Sequence, residues 1–96
     1  MYHYTFYSYE EYGRGYIGSR ASRNVPEEDN YFGSYTDKNF APTNKIIIEQ
    51  YDTAEESLEA ENKLLIFYDA GRNPHFANKQ ISAKEYWKVV NKGEDN

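Results

Sequence analysis

Glu61 differs in its setting from the other acidic residues around it. At about 100° per residue, a helix through this stretch has one apolar stripe, and Glu61 falls inside it with Ala54, Leu58, Leu64, Leu65 and Tyr68. On the opposite face lie the remaining charged residues, Glu55, Glu56, Glu59 and Lys63. A carboxylate directed at a core is unfavourable unless it is paired, protonated or bound to a cation. Glu61 is therefore a metal ligand, half of a structural ion pair with Arg20, Arg23 or Arg72, or a side chain that reaches solvent at the edge of the stripe.

Two tyrosines and two arginines form a second candidate group. A hairpin in the first 20 residues places Tyr4 and Tyr16 on adjacent strands, with Arg20 and Arg23 just beyond them. A phenol has a pKa of about 10 and is a weak base, but a nearby cation favours its ionised form or lets it act through a polarised water. Tyrosines in strands are most often cross-strand packing pairs. The spacing alone is compatible with packing and with acid–base chemistry.

The remaining candidates are single polar residues. His75 follows Asn73 and Pro74, a combination that shapes a turn, although the imidazole can also lie near a metal. Three lysines are candidates for contacts with backbone phosphates, and solvation is the ordinary alternative for each; they are Lys38, Lys45 and Lys79.

These residues are positioned by a predicted sheet. Residues 2–9 are rich in aromatic types that favour strands, with Tyr4 and Phe6 on one face and His3, Thr5 and Tyr7 on the other. The glycines in 13–15 predict a hairpin connection, after which residues 16–17 begin a returning strand that ends at 18–19. Residues 46–48 are three isoleucines and predict a buried third strand.

Two helices are predicted after the third strand. Thr53 as N-cap and Glu56 as the capping-box partner start a helix that runs to about Phe67 or Tyr68, with Gly71 as its C-cap. A final helix is predicted at about 82–92. Before the third strand, residues 20–45 form a long loop with a short helix opening at Pro26. A loop of this length is uncommon in a compact domain unless it has a function.

The length and composition of the chain exclude several classes of protein. A chain of 96 residues with 39% hydrophobic residues forms one domain, 1–96, and has no run of the roughly 20 apolar residues that a membrane span needs. The absence of cysteine excludes disulfides and thiolate chemistry. The N-terminus lacks a signal-peptide pattern, so we expect a cytoplasmic location. The net charge of −5 arises mainly between residues 27 and 61, which leaves room for a local basic groove near the hairpin.

The order of these residues resembles the GIY-YIG nuclease superfamily. Tyr2-His3-Tyr4 corresponds to a degenerate first motif, and Tyr16-Ile17-Gly18 to an intact second motif. The stretches 16–20 and 27–34 are similar to phage-encoded homing endonucleases of this superfamily, and the resemblance covers roughly residues 2–80. It implies an α/β (α+β) fold with a small, mainly antiparallel three-stranded sheet flanked by helices. A protein encoded by a phage in a bacterial host, or by a bacterium, is the corresponding source.

The resemblance also implies an activity, which is metal-dependent hydrolysis of DNA phosphodiester bonds. Glu61 would hold one Mg²⁺ or Mn²⁺, Tyr4 would act as general base supported by Tyr16, and Arg20 would offset charge on the phosphorus. Gly18, Asn78 and His75 would support the site, with Arg23 as the alternative arginine. The chain departs from the family pattern in two places, because the first motif has lost its glycine and the usual arginine position falls near Pro26.

The implied partner is DNA, and the membrane is not expected to be one. Homing enzymes of this type usually carry a further DNA-binding region. Three alternatives are therefore open, a standalone catalytic module, a truncated enzyme or one part of an oligomer, and the candidate partners besides DNA are a second copy and a separate DNA-targeting protein. The rival interpretation is a noncatalytic module that uses its tyrosine-rich sheet to bind single-stranded nucleic acid or a protein. A purely structural protein is the third.

Overall fold

The computed structural model describes residues 1–78, which form an α+β arrangement of three strands and one α-helix. The strands are β1 (Tyr2–Tyr9), β2 (Gly15–Ser22) and β3 (Asn44–Tyr51), and the helix is α1 (Ala54–Phe67). All three strands pair antiparallel in the order β2-β1-β3. The expected α+β class and small antiparallel sheet are thus confirmed for this part of the chain. The helix expected at about 82–92 lies outside the described residues, as does Lys79.

β1 is the central strand and supplies both faces of the sheet. Its side chains alternate, with Tyr4, Phe6 and Ser8 on what we call the front face and Thr5, Tyr7 and Tyr9 on the back face. Tyr4 and Phe6 are fully buried. Directly opposite these front-face residues of β1 lie three residues of β2, Arg20, Gly18 and Tyr16. The pairing therefore places both predicted tyrosines and Arg20 on one face.

β2 is longer than the sequence predicted, because it continues through Gly18 and Ser19 to Ser22. Gly18 does not end the strand but permits close packing within it. A Cβ atom at this position would lie 2.6 Å from Cζ of Phe6 and 2.9 Å from Cε1 of Tyr16. The glycine thus makes room for two aromatic rings on the front face.

The outer edge of β2 is covered by the chain that follows α1. The amide of Gly15 donates to the carbonyl of His75 at 2.9 Å, and the amide of Ala77 donates to the carbonyl of Gly15 at 2.8 Å. These bonds form a parallel bridge between Gly15 and Phe76. One edge of the sheet is therefore closed by a short added segment.

β3 forms the other edge, and the prediction that its isoleucines are buried was wrong. Ile46 is 53% exposed and Ile48 is 43% exposed. An edge strand has a neighbour on one side only, so its side chains lie at the margin of the packed surface. The pairing between β1 and β3 shifts register between Thr5 and Phe6, where β3 has one extra residue.

The long loop between β2 and β3 covers the front face with its aromatic residues. It begins with a short 3-10 helix at Pro26–Glu28, close to the expected helix opening. The Phe40 ring is buried and lies 6.4 Å from the Tyr16 ring, while the Tyr31 ring lies 5.8 Å from that of Phe6. The Ser8 hydroxyl donates to the carbonyl of Phe32 at 2.6 Å. The loop is the lid of the front-face core.

Both ends of α1 lie where the sequence predicted them, but the residue expected to cap its C-terminal end differs. The Thr53 hydroxyl accepts a hydrogen bond from the Glu56 amide at 3.2 Å, as an N-cap does. The helix ends at Phe67 with Tyr68 as its C-cap, and Asp69 takes the left-handed conformation, with φ 51°, that was expected of Gly71. Aspartate is one of the residue types that tolerates this conformation. Within residues 1–78, no helix is both long and apolar enough to cross a lipid bilayer.

Candidate functional site

Tyr4 and Arg20 meet at a buried carboxylate, that of Asp29. The Tyr4 hydroxyl donates to Oδ2 of Asp29 at 2.6 Å, and Nε of Arg20 donates to the same oxygen at 3.1 Å. The Asp29 side chain is 7% exposed and that of Arg20 is 37% exposed. Arg20 is thus paired with the acidic stretch 27–29, through Asp29.

Lys45 completes this group from β3. Its ammonium donates to the Tyr4 hydroxyl at 3.1 Å, to the Asp29 carbonyl at 2.6 Å and to the Tyr31 carbonyl at 2.9 Å. The Arg20 guanidinium lies 4.3 Å from the centre of the Tyr31 ring, in cation–π distance. We call these five residues, Tyr4, Arg20, Asp29, Tyr31 and Lys45, the Asp29 cluster.

The charges of the Asp29 cluster fix its protonation states. Burial opposes ionisation of Asp29, but hydrogen bonds from Tyr4 and Arg20, with the charges of Arg20 and Lys45, outweigh burial and hold the pKa of the carboxyl below its ordinary value. Burial, followed by the bond to Asp29, raises the pKa of Tyr4 well above its ordinary value. Burial lowers the pKa of Lys45, while the charge of Asp29 acts in the opposite direction. At neutral pH Asp29 is ionised and Tyr4 is a neutral donor to it.

These contacts bear on the role expected of Tyr4. A general base needs a hydroxyl that reaches the reacting water and a pKa near the working pH. The Tyr4 side chain is fully buried, and its proton is directed to Asp29. The geometry places Tyr4 as a link between Lys45 and Asp29.

Tyr16 and Glu61 form a second group, which we call the Tyr16–Glu61 pair. Burial and then the negative charge of Glu61 raise the pKa of Tyr16 to about 12. The structure therefore brings the tyrosine of the second motif into electrostatic range of the stripe acid. Glu61 is half-buried, between the extremes of a core carboxylate and a solvated one.

Two glycines allow the Tyr16 ring to lie where it does. A Cβ at Gly33, whose φ is 124°, would be 2.6 Å from Cε1 of Tyr16, and the corresponding distance from Gly18 is 2.9 Å. The positive φ at Gly33 is one that other residues rarely adopt. Gly18 thus makes room for the Tyr16 ring through its lack of a side chain.

Asn78 also supports β2, through its amide group. Its Oδ1 accepts from the Ile17 amide at 3.0 Å, and its Nδ2 donates to the Ile17 carbonyl at 2.7 Å. A side-chain amide here replaces the strand that would otherwise pair with the edge of β2. Asn78 holds the backbone between Tyr16 and Gly18, which is where a structural supporting role was expected.

His75 and Arg23 lie away from the front-face groups. Nε2 of His75 is 2.7 Å from the Tyr7 hydroxyl oxygen on the back face. Both side chains line a largely apolar cavity of about 560 Å³, with Ile17, Ile48, Leu64, Tyr68, Asn73 and Phe76. Arg23 follows the last residue of β2 and is exposed. Of the two arginines, Arg20 is the one that the structure joins to Tyr4.

The number of potential ligand side chains limits the kind of metal site that Glu61 could form. Among residues 1–78, no three His, Asp or Glu side chains are grouped so that they could enclose a metal ion. Mg²⁺ commonly uses one or two carboxylates and completes its shell with water and substrate phosphate oxygens. A single half-buried glutamate fits that open kind of site, and Glu61 is the residue that would hold the ion.

Sequence reasoning missed the central position of Asp29 and the internal role of Lys45. Asp29 belonged to an acidic run that looked like the first turn of a helix, and Lys45 looked like a solvated or phosphate-binding lysine. A weak signal existed for Lys45, because it directly precedes the isoleucine run of β3 and so had to lie on the sheet.

No protein-family model, no curated protein and no solved structure matches this chain.

Proposed function

We propose that the chain is a metal-dependent DNA endonuclease domain of the GIY-YIG type, related in kind to homing endonucleases. The observation that carries this proposal is that Tyr16 lies in the field of Glu61 on the sheet face that also bears Tyr4 and Arg20. The antiparallel order β2-β1-β3, followed by a helix that contains the acid, supports it.

Each group in this proposal has one task. Glu61 holds a single Mg²⁺ or Mn²⁺, which when bound polarises the scissile phosphate and stabilises the leaving oxygen. Arg20 offsets negative charge that develops on the phosphorus. Its side chain is 37% exposed, so it can meet a phosphate while Nε remains on Asp29.

The two tyrosines divide the remaining work. Tyr16 is only partly buried and feels the charge of Glu61, so we assign it the contact with the attacking water. A cation at Glu61 would offset the negative charge that raises the pKa of Tyr16. The phenolate of Tyr16, which is the form that can accept a proton from that water, would then be easier to populate. Tyr4 is assigned to hold Asp29, and with it Arg20, in place.

The test is cleavage of supercoiled plasmid and short duplex DNA by the full chain with Mg²⁺ or Mn²⁺. We expect activity that falls at least 100-fold in Glu61→Gln and Arg20→Lys. Glu55→Gln is the matched control, because Glu55 is an exposed acid of the same helix. Absence of cleavage with every metal and DNA form, or undiminished cleavage in Glu61→Gln, contradicts the proposal.

Binding of the cation is tested without activity. Mn²⁺ is paramagnetic and broadens NMR signals of nearby groups, so the ring signals of Tyr16 should broaden before those of Tyr12, which is 95% exposed on the hairpin turn. The broadening should disappear in Glu61→Gln and persist in Glu55→Gln. Equal broadening of the two tyrosines would place the ion elsewhere.

A noncatalytic nucleic-acid or protein-binding module is the second candidate. One observation favours it, because Asp29 neutralises Arg20, and Lys45 uses its ammonium on groups of the protein itself. A fluorescence titration with labelled single-stranded and duplex DNA separates the candidates. Salt-sensitive binding without cleavage or metal dependence would favour the module.

A further inference from the structure

The Lys45 ammonium makes three hydrogen bonds, which equals the number of donors that a lysine has. Its acceptors are the Tyr4 hydroxyl and the carbonyls of Asp29 and Tyr31. The two carbonyls belong to the loop between β2 and β3, outside any strand that could supply backbone partners. Lys45 therefore joins this loop to the sheet.

Arg20 is held by the same two loop residues through different groups. Its Nε bonds the Asp29 carboxylate, and its guanidinium lies over the Tyr31 ring. Lys45 fixes the backbone of Asp29 and Tyr31, whereas Arg20 uses their side chains. The two cations are thus connected through two residues.

We propose that Lys45 is a positioning residue for Arg20. By tying down the backbone at Asp29 and Tyr31, it fixes the carboxylate and the ring that orient the guanidinium. A long arginine side chain has many rotamers, and a group that meets a phosphate works best when its position is set beforehand. The value of this device for catalysis depends on the proposed function, whereas the positioning itself does not.

The test uses the absence of cysteine from the chain. Lys45→Cys is prepared in the full chain, and alkylation of the thiol with 2-bromoethylamine under denaturing conditions, followed by refolding, restores a side chain of lysine length that ends in an ammonium. The measured signal is the Nε–H resonance of Arg20 in a ¹H–¹⁵N NMR spectrum, which Arg20→Lys identifies by its disappearance. Lys38→Cys, taken through the same steps, is the control, because Lys38 is exposed.

The expected result is that the Arg20 resonance moves or is lost through solvent exchange in Lys45→Cys, and returns after aminoethylation. In Lys38→Cys it should stay at its position in the unmodified protein throughout. An unchanged Arg20 resonance in folded Lys45→Cys would overturn the proposal, since Lys45 would then have no influence on the guanidinium.

Cleavage measured on the same samples separates this inference from the proposed function. If Lys45 positions Arg20 for catalysis, kcat should fall about 10-fold to 100-fold in Lys45→Cys, with a smaller change in KM, and recover after aminoethylation. If the unmodified protein does not cleave but the Arg20 resonance follows Lys45, the nuclease proposal fails alone. If it cleaves and Lys45→Cys retains both kcat and the resonance, the positioning fails alone.

A second measurement needs no substitution and so does not depend on the variant folding. Exchange of the ammonium protons of Lys45 with water is compared with that of Lys38 by ¹⁵N-resolved NMR. Three internal hydrogen bonds should slow the exchange of Lys45 at least tenfold relative to the exposed lysine. Equal exchange rates would show that the internal bonds do not form, which also overturns the proposal.

Discussion

Tyr4 and Tyr16 of the front face belong to two groups of ionisable residues whose charges are balanced differently. In the Asp29 cluster, one buried carboxylate is surrounded by a phenol, a guanidinium and an ammonium, so negative charge is compensated inside the protein. In the Tyr16–Glu61 pair, an acid and a phenol lie in each other's field, and the acid makes ionisation of the phenol harder. In the first group Arg20 and Lys45 carry the compensating charges, whereas a cation bound near Glu61 would make ionisation of Tyr16 easier.

This difference suggests separate tasks for the two groups. A charge-compensated cluster with short hydrogen bonds is suited to holding a side chain in one orientation. In the Tyr16–Glu61 pair the charge of Glu61 disfavours the phenolate of Tyr16, and a bound cation would reduce this effect. Stability should therefore depend mainly on the Asp29 cluster, and ion binding on the Tyr16–Glu61 pair.

The largest expected effect comes from removing the charge of Asp29. Asp29→Asn leaves Lys45 and Arg20 without their counter-charge and takes away the acceptor of the Tyr4 proton, so we expect about 3 kcal/mol less free energy of unfolding. Asp37→Asn, which breaks the more exposed ion pair with Arg14, should lose less than about 1 kcal/mol. Urea unfolding measures both variants, and equal losses would contradict the comparison.

The lowered pKa of Asp29 predicts how the free energy of unfolding changes at acid pH. Folding lowers the pKa of Asp29, so the unfolded chain binds its proton more readily and the stabilisation is present above the ordinary aspartate pKa of about 4. It should be lost as pH falls through the lower pKa of the folded state. Urea unfolding between pH 6 and 2 should show a shallower decline in Asp29→Asn than in the unmodified chain. Parallel curves would mean that other carboxyls determine the acid limit.

Gly18→Ala is expected to have the next largest effect, through the packing between the two groups. The added Cβ would meet the rings of Phe6 and Tyr16, and forced repacking of this kind costs about 2 kcal/mol. Ala21→Val, an enlargement at an exposed position of the same strand, should change the free energy of unfolding by less than about 0.5 kcal/mol. Chemical unfolding would detect the difference, and a neutral Gly18→Ala would show that the rings move aside freely.

Asn78→Ala tests the hydrogen bonds between Asn78 and the backbone of β2 next to Tyr16, and its expected effect on stability is smaller. Loss of its two hydrogen bonds to Ile17 should reduce the free energy of unfolding by about 1.5 kcal/mol. Amide hydrogen exchange at Ile17 should accelerate, while exchange at Thr5 in the centre of the sheet should change only by the global loss. Asn30→Ala, at an exposed loop position, is the control. Unaltered protection at Ile17 would remove Asn78 from the supporting residues.

The smallest expected effect is on the titration of Tyr16. Glu61→Gln should lower the pKa of Tyr16 from about 12, because the variant removes a negative charge that disfavours the phenolate. Absorbance of tyrosinate between pH 9 and 12 follows this change, and the difference from Tyr16→Phe isolates the signal. Glu55→Gln should leave the curve in place, whereas an upward shift in Glu61→Gln would contradict the assignment.

The raised pKa of Tyr16 also predicts that the free energy of unfolding falls at alkaline pH. Since the unfolded phenol ionises near pH 10 and the folded one near 12, the stabilisation is complete below about pH 10 and declines as pH rises towards 12. Tyr16→Phe should reduce this alkaline decline, measured by urea unfolding at pH 9 to 11. Tyr12→Phe, at the exposed turn, should not.

The parts of the fold that the sequence predicted are those with local signals. Residues 2–9 became β1 at the expected bounds because strand alternation is visible within eight residues, and Thr53 and Glu56 identified the start of α1 within four. The end of β2 was missed because a glycine was taken as a stop, when its reason is the approach of the Phe6 ring from another strand. Burial of the isoleucines in β3 depended on strand order, which no local pattern gives.

The candidate site shows the same division. The sequence placed Tyr4 and Arg20 near one another because the hairpin pairing is short-range, and helix geometry singled out Glu61. Asp29 is 25 residues from Tyr4, and Lys45 is 41, so their meeting depends on the path of the loop over the front face. Without that path, neither the counter-charge of Arg20 nor the buried setting of Tyr4 could be inferred.

The extra residue in β3 sorts charge between the two faces of the sheet. On one side of the irregularity Ile47 pairs with Phe6, and on the other Glu49 pairs with Thr5 and Gln50 with Tyr4. An uninterrupted ladder continued from Ile47 would have put Glu49 opposite Tyr4, on the front face beside Asp29. A second carboxylate there would compete for the two cations of the cluster. By skipping one residue, β3 turns this acid towards the back face and places the neutral Gln50 opposite Tyr4, so the carboxylate that meets Arg20 is that of Asp29 in the covering loop.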